Sequence, residues 1–141
     1  MAKRPPPFTD WKLNDEVFQT IIGNFDIKKA KEILKDKPRR AVVSDISTWF
    51  DYVNTDKNKI TIGIHIDKNA LDSEKIDISV PVIECIIQSK ATGKPARFLI
   101  DGWHRIAKVK KQNSLIENKE LHITKLPLVV LSQEETEKVM Y

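Results

Sequence analysis

Cysteine is nearly absent: Cys85 is the single one among 141 residues, so no internal disulfide can staple the fold. It sits inside the apolar run "VPVIECII", where a buried, inert thiol is the expectation. Histidine is scarce as well, and His65, His104 and His122 lack the paired spacing of a structural zinc site. Long hydrophobic runs are missing. Stretches such as Val80–Ile83 and Leu126–Leu131 are far too short to cross a bilayer. No charged start, apolar middle and small-residue cleavage site opens the chain, so a cytoplasmic protein without a membrane partner is expected.

Forty per cent hydrophobic residues suffice for the core of one domain. The formal charge is +4 with pI near 9.1. Residues 1–40 hold ten Lys/Arg against six Asp/Glu, and residues 102–141 are again basic. Such ends attract phosphates, although a solvated lysine face is the commoner explanation.

Along the chain, residues 1–12 ("MAKRPPPF" onward) read as an extended basic, proline-rich end, and 13–141 as a single domain. "NDEVFQTII" permits a short helix over Asn14–Ile22, capped by Asn14 or Asp15 and stopped by Gly23. Asp26 caps a better helix, "IKKAKEILKDK", ended by Pro38. "RAVVSDI" predicts a strand and "STWFDYV" a short helix capped by Ser47, whose aromatics either pack on the core or stack a base. "KITIGIHID" alternates isoleucines with polar residues, predicting a half-buried strand over Lys59–Asp67 with His65 on the polar side. "DKNALDSEKID" reads as a turn or short helix. "VPVIECIIQ" and "RFLID" predict strands joined through a Thr92-Gly93 hairpin, followed by a helix over "WHRIAKVKKQN" and a last strand, "LPLVVL". Ser132 and Glu135 stand at capping-box spacing before a C-terminal helix. Strands and helices mix without strict alternation, which predicts a compact α+β fold: a mixed sheet with flanking helices.

The stretch that invites a functional reading is "ARFLIDGWHRIAKVKK", Ala96–Lys111. Gly102 lets the chain leave a strand and start a helix at once, and a helix N-terminus attracts anions. Arg105 can grip a phosphate bidentately, His104 can donate to oxygen or move a proton near neutral pH, and Lys108 extends the positive face. Asp101 suits a divalent cation or a catalytic base. The plainer account stands beside this one: Asp101 caps the helix, Trp103 packs, and the cations form an exposed face.

"FLIDGWHRIAKVKK", with its DGWHR pattern at Asp101–Arg105, resembles the signature region of the ParB/sulfiredoxin-like superfamily. The likeness extends loosely over Ile76–Val139, and 58–141 is the recognisable part. It implies a nucleotide pocket at the corner, with Gly102, His104 and Arg105 on phosphate and Asp101 as a metal-linked or catalytic carboxylate; Mg2+ with ATP or CTP is the implied cofactor. Trp103 stands where sulfiredoxins carry their reactive cysteine, which argues against sulfinic-acid reduction. The second arginine of the partition proteins is missing, and a full partition protein with helix-turn-helix and dimerisation domains is not expected.

Three functions fit this reading. The first is a ParB-like domain binding a nucleotide or other phosphate ligand over 101–111, with Mg2+-dependent hydrolysis or phosphotransfer left open. The second is a DNA-binding module or nuclease using Lys3, Arg4, Arg39, Arg40 and the lysines after Arg105. The third is a degenerate, non-catalytic relative that serves a protein partner, its Trp103 either filling the ligand's place or forming an exposed anchor.

Overall fold

The computed structural model describes residues 12–13, 17–20, 23–54, 64–66, 76–88 and 92–141. The proline-rich opening and the segments 55–63, 67–75 and 89–91 lie outside the described residues, as do most of the strand expected over Lys59–Asp67 and the side chain of His65.

The first expected helix is not a helix. Strands β1 (Lys12–Leu13), β2 (Val17–Gln19) and β3 (Asn24–Asp26) form a three-stranded antiparallel sheet there. Phe18 lies across from Phe25 with ring centroids 6.2 Å apart, and both are fully buried. Burying two phenylalanines outweighs the weak helix preference of a nine-residue stretch, which cannot offset the cost of helix nucleation alone. Gly23 turns the hairpin instead of stopping a helix: Thr20 N donates to its carbonyl at 3.0 Å, and Gly23 N donates to Thr20 Oγ1 at 3.1 Å.

Helix α1 (Ile27–Asp36) follows, with the Asp26 carboxylate accepting from Lys29 N at 2.9 Å. Ile27 and Ala30 are buried while the lysines stay exposed, and the helix stops just before Pro38. Strand β4 (Val42–Asp45) leads into a 3-10 helix, Ser47–Tyr52. Ser47 is not its cap: the cap position is Ile46, and Asp45 Oδ1 accepts both the Ser47 amide (2.8 Å) and its hydroxyl (2.6 Å). The carboxylate two residues back takes the hydroxyl that would otherwise cap the helix. Strand β5 (Val53–Asn54) pairs in parallel with β6 (Ile64–His65), where Ile64 and Ile66 are buried as the alternation predicts.

Strands β7 (Val82–Gln88) and β8 (Pro95–Asp101) pair antiparallel, and Gly93 adopts φ +69° in their connection. Helix α2 (Trp103–Ser114), strand β9 (Lys125–Val130) and helix α3 (Gln133–Val139) complete the chain. The main sheet runs β4-β9-β7-β8, antiparallel at both flanks and parallel between β9 and β7, so the fold is α+β with helices flanking a mixed sheet. Pro127 sits inside β9, where a missing donor is normally costly. Ile46 N donates to Thr124 O at 2.8 Å, and alternation along the ladder makes Val43–Pro127 a pair that needs no donor from β9 on that side.

The core joins Phe18, Phe25, Trp49, Phe98 and Trp103, whose rings contact at 5.6–6.2 Å. Among the described residues, no helix is long and apolar enough to cross a membrane.

Candidate functional site

The corner begins at the end of β8. Gly102 adopts φ +110°, ψ 11°, and a Cβ built on it would stand 2.4 Å from Val82 Cγ1. Glycine is therefore required twice, by the left-handed backbone and by the approach of β7. As N-cap of α2 it offers no side chain, and no acidic residue lies in the first turn. The positive end of a twelve-residue helix is thus left without an acidic neighbour in that turn.

Trp103 turns inward. It is fully buried, its Nε1 donates to Leu99 O at 3.1 Å, and its ring lies 5.9 Å from Phe18 and 5.8 Å from Trp49. It is a core residue rather than an exposed anchor. His104, the next residue, is exposed.

Arg105 does not project into solvent. Its Nη1 donates to Val80 O (3.0 Å) and Pro81 O (2.7 Å), and its Nη2 lies 3.4 Å from Asp101 Oδ2. Lys108 Nζ donates to Ile76 O at 2.8 Å. These cations pin the segment 76–81 against α2. Within that segment Asp77 Oδ1 accepts the Ser79 hydroxyl (2.6 Å) and amide (2.9 Å), and these bonds hold its carboxyl below the ordinary aspartate range, with Lys108 and Arg105 adding to the effect. Lys110 is also spent on backbone, donating to Phe50 O and Val53 O at 2.8 and 2.9 Å. Sequence reasoning grouped Asp101, Gly102, His104, Arg105 and Lys108 at one corner. They are neighbours there, but Asp101, Arg105 and Lys108 turn to the 76–81 side or to one another. Asp101 does not cap the helix.

The donor set fits Mg2+ poorly. Asp101 is a single carboxylate with a guanidinium 3.4 Å away, and among the described residues no three His, Cys, Asp or Glu side chains gather.

Of the arginines expected on DNA, Arg40 is exposed and Arg39 is similarly committed. Arg39 forms a bidentate pair with Glu135 (2.6 and 2.7 Å) and also reaches Lys37 O and Val130 O. Lys3 and Arg4 lie outside the described residues. His122 is structural, its Nε2 contacting Ile116 O at 2.6 Å.

One buried carboxylate escaped the sequence reading. Glu84, with a 5% exposed side chain, accepts the Trp49 indole N–H on Oε2 at 2.9 Å. Its Oε1 has no hydrogen-bond partner, and Arg97 Nη1 stands 3.8 Å away. The signal was available as a glutamate interrupting an apolar strand run. Adjacent Cys85 is fully buried, and burial pushes its thiol up to about 12, consistent with an inert residue.

Compared with known proteins, the chain matches no protein-family model, no curated protein and no solved structure.

Proposed function

We propose that this chain is a small ParB/sulfiredoxin-like domain that binds a phosphate-bearing ligand, most simply a nucleotide, at the start of α2. The observation that carries this reading is the first turn of α2: a glycine cap, no acidic residue, and exposed His104 on its surface. The helix dipole favours an anion there, and an imidazole adds a hydrogen-bond donor. The resemblance of DGWHR to the superfamily signature supports the same place.

In this reading the roles divide differently from the sequence expectation. His104 and the helix end meet the ligand. Arg105 and Lys108 act as positioning residues that hold the 76–81 turn beside it, because their donors are already engaged with Val80, Pro81 and Ile76 carbonyls. Asp101 orients Arg105.

Thermal shift and calorimetry with ATP, CTP, GTP, UTP and inorganic phosphate test the assignment. A bound ligand raises Tm, by about 2.7 kcal/mol of added stability at a hundredfold excess over Kd. His104→Ala should weaken binding several-fold. A flat response to every one of these anions removes the proposal.

A second reading, a ligand-free relative that serves a protein partner, is favoured by one observation: the corner's arginine and its next two lysines all donate to backbone carbonyls. The same screen separates the two.

A further inference from the structure

Helices α1 and α3 pack together and leave a surface groove of about 200 Å3, lined by Lys29, Ile33, Asp36 and Lys37 from α1 and its C-cap and by Glu135 and Lys138 from α3. Arg39, Arg105, Lys108 and Lys110 are all committed to acceptors elsewhere in the chain. The lysines of the groove are not. Among the described residues, the side chains of Lys29, Lys37, Lys138 and Asp36, all exposed, have neither a hydrogen bond nor an ion pair. Glu135 adds no open negative charge, because Arg39 grips both of its oxygens and Ser132 N donates to one of them. The uncompensated charge is therefore three lysines against one aspartate.

Geometry chooses among occupants. Lys29, Ile33 and Lys37 follow one another at four-residue intervals, a stripe that rises about 12 Å along α1 at roughly 1.5 Å per residue. Cations strung out over that length do not converge on one small anion. The groove is also smaller than the roughly 300 Å3 at which small-molecule pockets begin. A uniform polyanion such as a nucleic-acid strand would set its charge against Asp36, which has no cation of its own. A protein segment with an apolar residue between two carboxylates matches both ends of the stripe and covers half-buried Ile33 at its centre. The walls are helices whose backbone groups bond internally, so they offer an extended peptide no main-chain edge. A helix, its own backbone satisfied, fits such a groove.

We propose that the groove between α1 and α3 is a docking site for an acidic amphipathic helix of a partner protein. Its apolar residue rests on Ile33, carboxylates about one turn to either side pair with Lys29 and Lys37, and Lys138 meets a further carboxylate from the α3 side. Asp36 disfavours a helix that is acidic along its whole face, so the site reads a pattern and not net charge alone. The site lies apart from the start of α2 in sequence and does not rest on the reading given to that corner.

The probe is a capped, fluorescein-labelled helical peptide with Glu, Leu and Glu at positions i, i+4 and i+8, titrated with the full chain in fluorescence anisotropy. Saturable binding that weakens as salt rises is expected. Lys29→Glu or Lys138→Glu should each lower the affinity about fivefold, since an exposed ion pair is lost and a repulsive one takes its place. Neither lysine has a partner to lose within the chain, so the far-ultraviolet circular dichroism of both variants should match the wild type. Replacing the peptide glutamate that faces position 29 with lysine should restore binding to Lys29→Glu, whereas Lys94→Glu, before β8, should leave binding of the original peptide unchanged. The proposal is overturned if the wild-type chain fails to bind the peptide up to millimolar concentration, if the reversals at 29 and 138 cost no more than the one at 94, or if an oligothymidylate binds more tightly through the same lysines.

Discussion

Gly102 carries two constraints that a single substitution would violate together. Alanine at φ +110° would pay for a backbone region that L-residues rarely enter, and its Cβ would overlap Val82 across the sheet edge. Gly102→Ala should therefore lose about 2 kcal/mol or more of stability, read as a lower urea midpoint at unchanged slope. A loss within the noise of a surface substitution would show that the corner relaxes freely, and the left-handed cap would cease to be a fixed feature of the site. Glu84 poses a different residue-scale question, because its carboxylate is buried beside the aromatic core with one oxygen bonded to Trp49 and the other to nothing. Among the described residues its only cation within salt-bridge range, Arg97, has a side chain 61% exposed and does not come within hydrogen-bond reach. That arrangement ties strand β7 to the 3-10 helix through an indole rather than through an ion pair of full strength.

At the scale of elements, α3 is anchored by chemistry that depends on pH. Ser132 and Glu135 form the expected capping box, with Ser132 N donating to Glu135 Oε1 at 2.9 Å and Glu135 N to Ser132 Oγ at 3.1 Å. Arg39 adds its bidentate grip, and chiefly through that hydrogen bond the Glu135 carboxyl falls from 4.5 to about 2. A carboxylate with a depressed folded-state pKa contributes stability that is complete above its unfolded value and is lost as pH falls towards the folded one. The stability difference between wild type and Glu135→Gln should accordingly hold near neutrality and close between pH 4.5 and about 2, in parallel denaturant titrations. A difference that persists unchanged at the acid end would mean that the ion pair does not carry it. The capping box was legible in the sequence because its partners lie three residues apart, as were the Asp26 cap and the β7–β8 hairpin. The β2–β3 hairpin was not, because what selects it is the meeting of Phe18 and Phe25 with Phe98, far along the chain. The corner divided in the same way. Its glycine, strand and helix could be read locally, whereas the acceptors of Arg105 lie 24 and 25 residues back in sequence and no spacing announces them.

The whole molecule is organised around β7, which lies between β9 and β8, sends Glu84 O to Leu131 N beyond the end of β9, and donates Ile86 N to the Thr136 hydroxyl of α3. Cys85 is on this strand, fully buried, so its thiol reports how the fold opens. Reaching it through a local route would mean lifting α3, which is held to α1, to β7 and, through Arg39, to the segment before β4. With that many attachments, local release should cost nearly as much as unfolding the sheet. Its thiolate fraction adds a second barrier, since burial raises the pKa to about 12 while the unfolded thiol ionises near the ordinary value. Alkylation of native protein at mildly alkaline pH should therefore be slow, and its rate should climb with denaturant in proportion to the globally unfolded fraction measured by circular dichroism. A fast reaction indifferent to denaturant would instead identify α3 as a lid that opens alone, and the central strand would no longer be the most protected part of the chain.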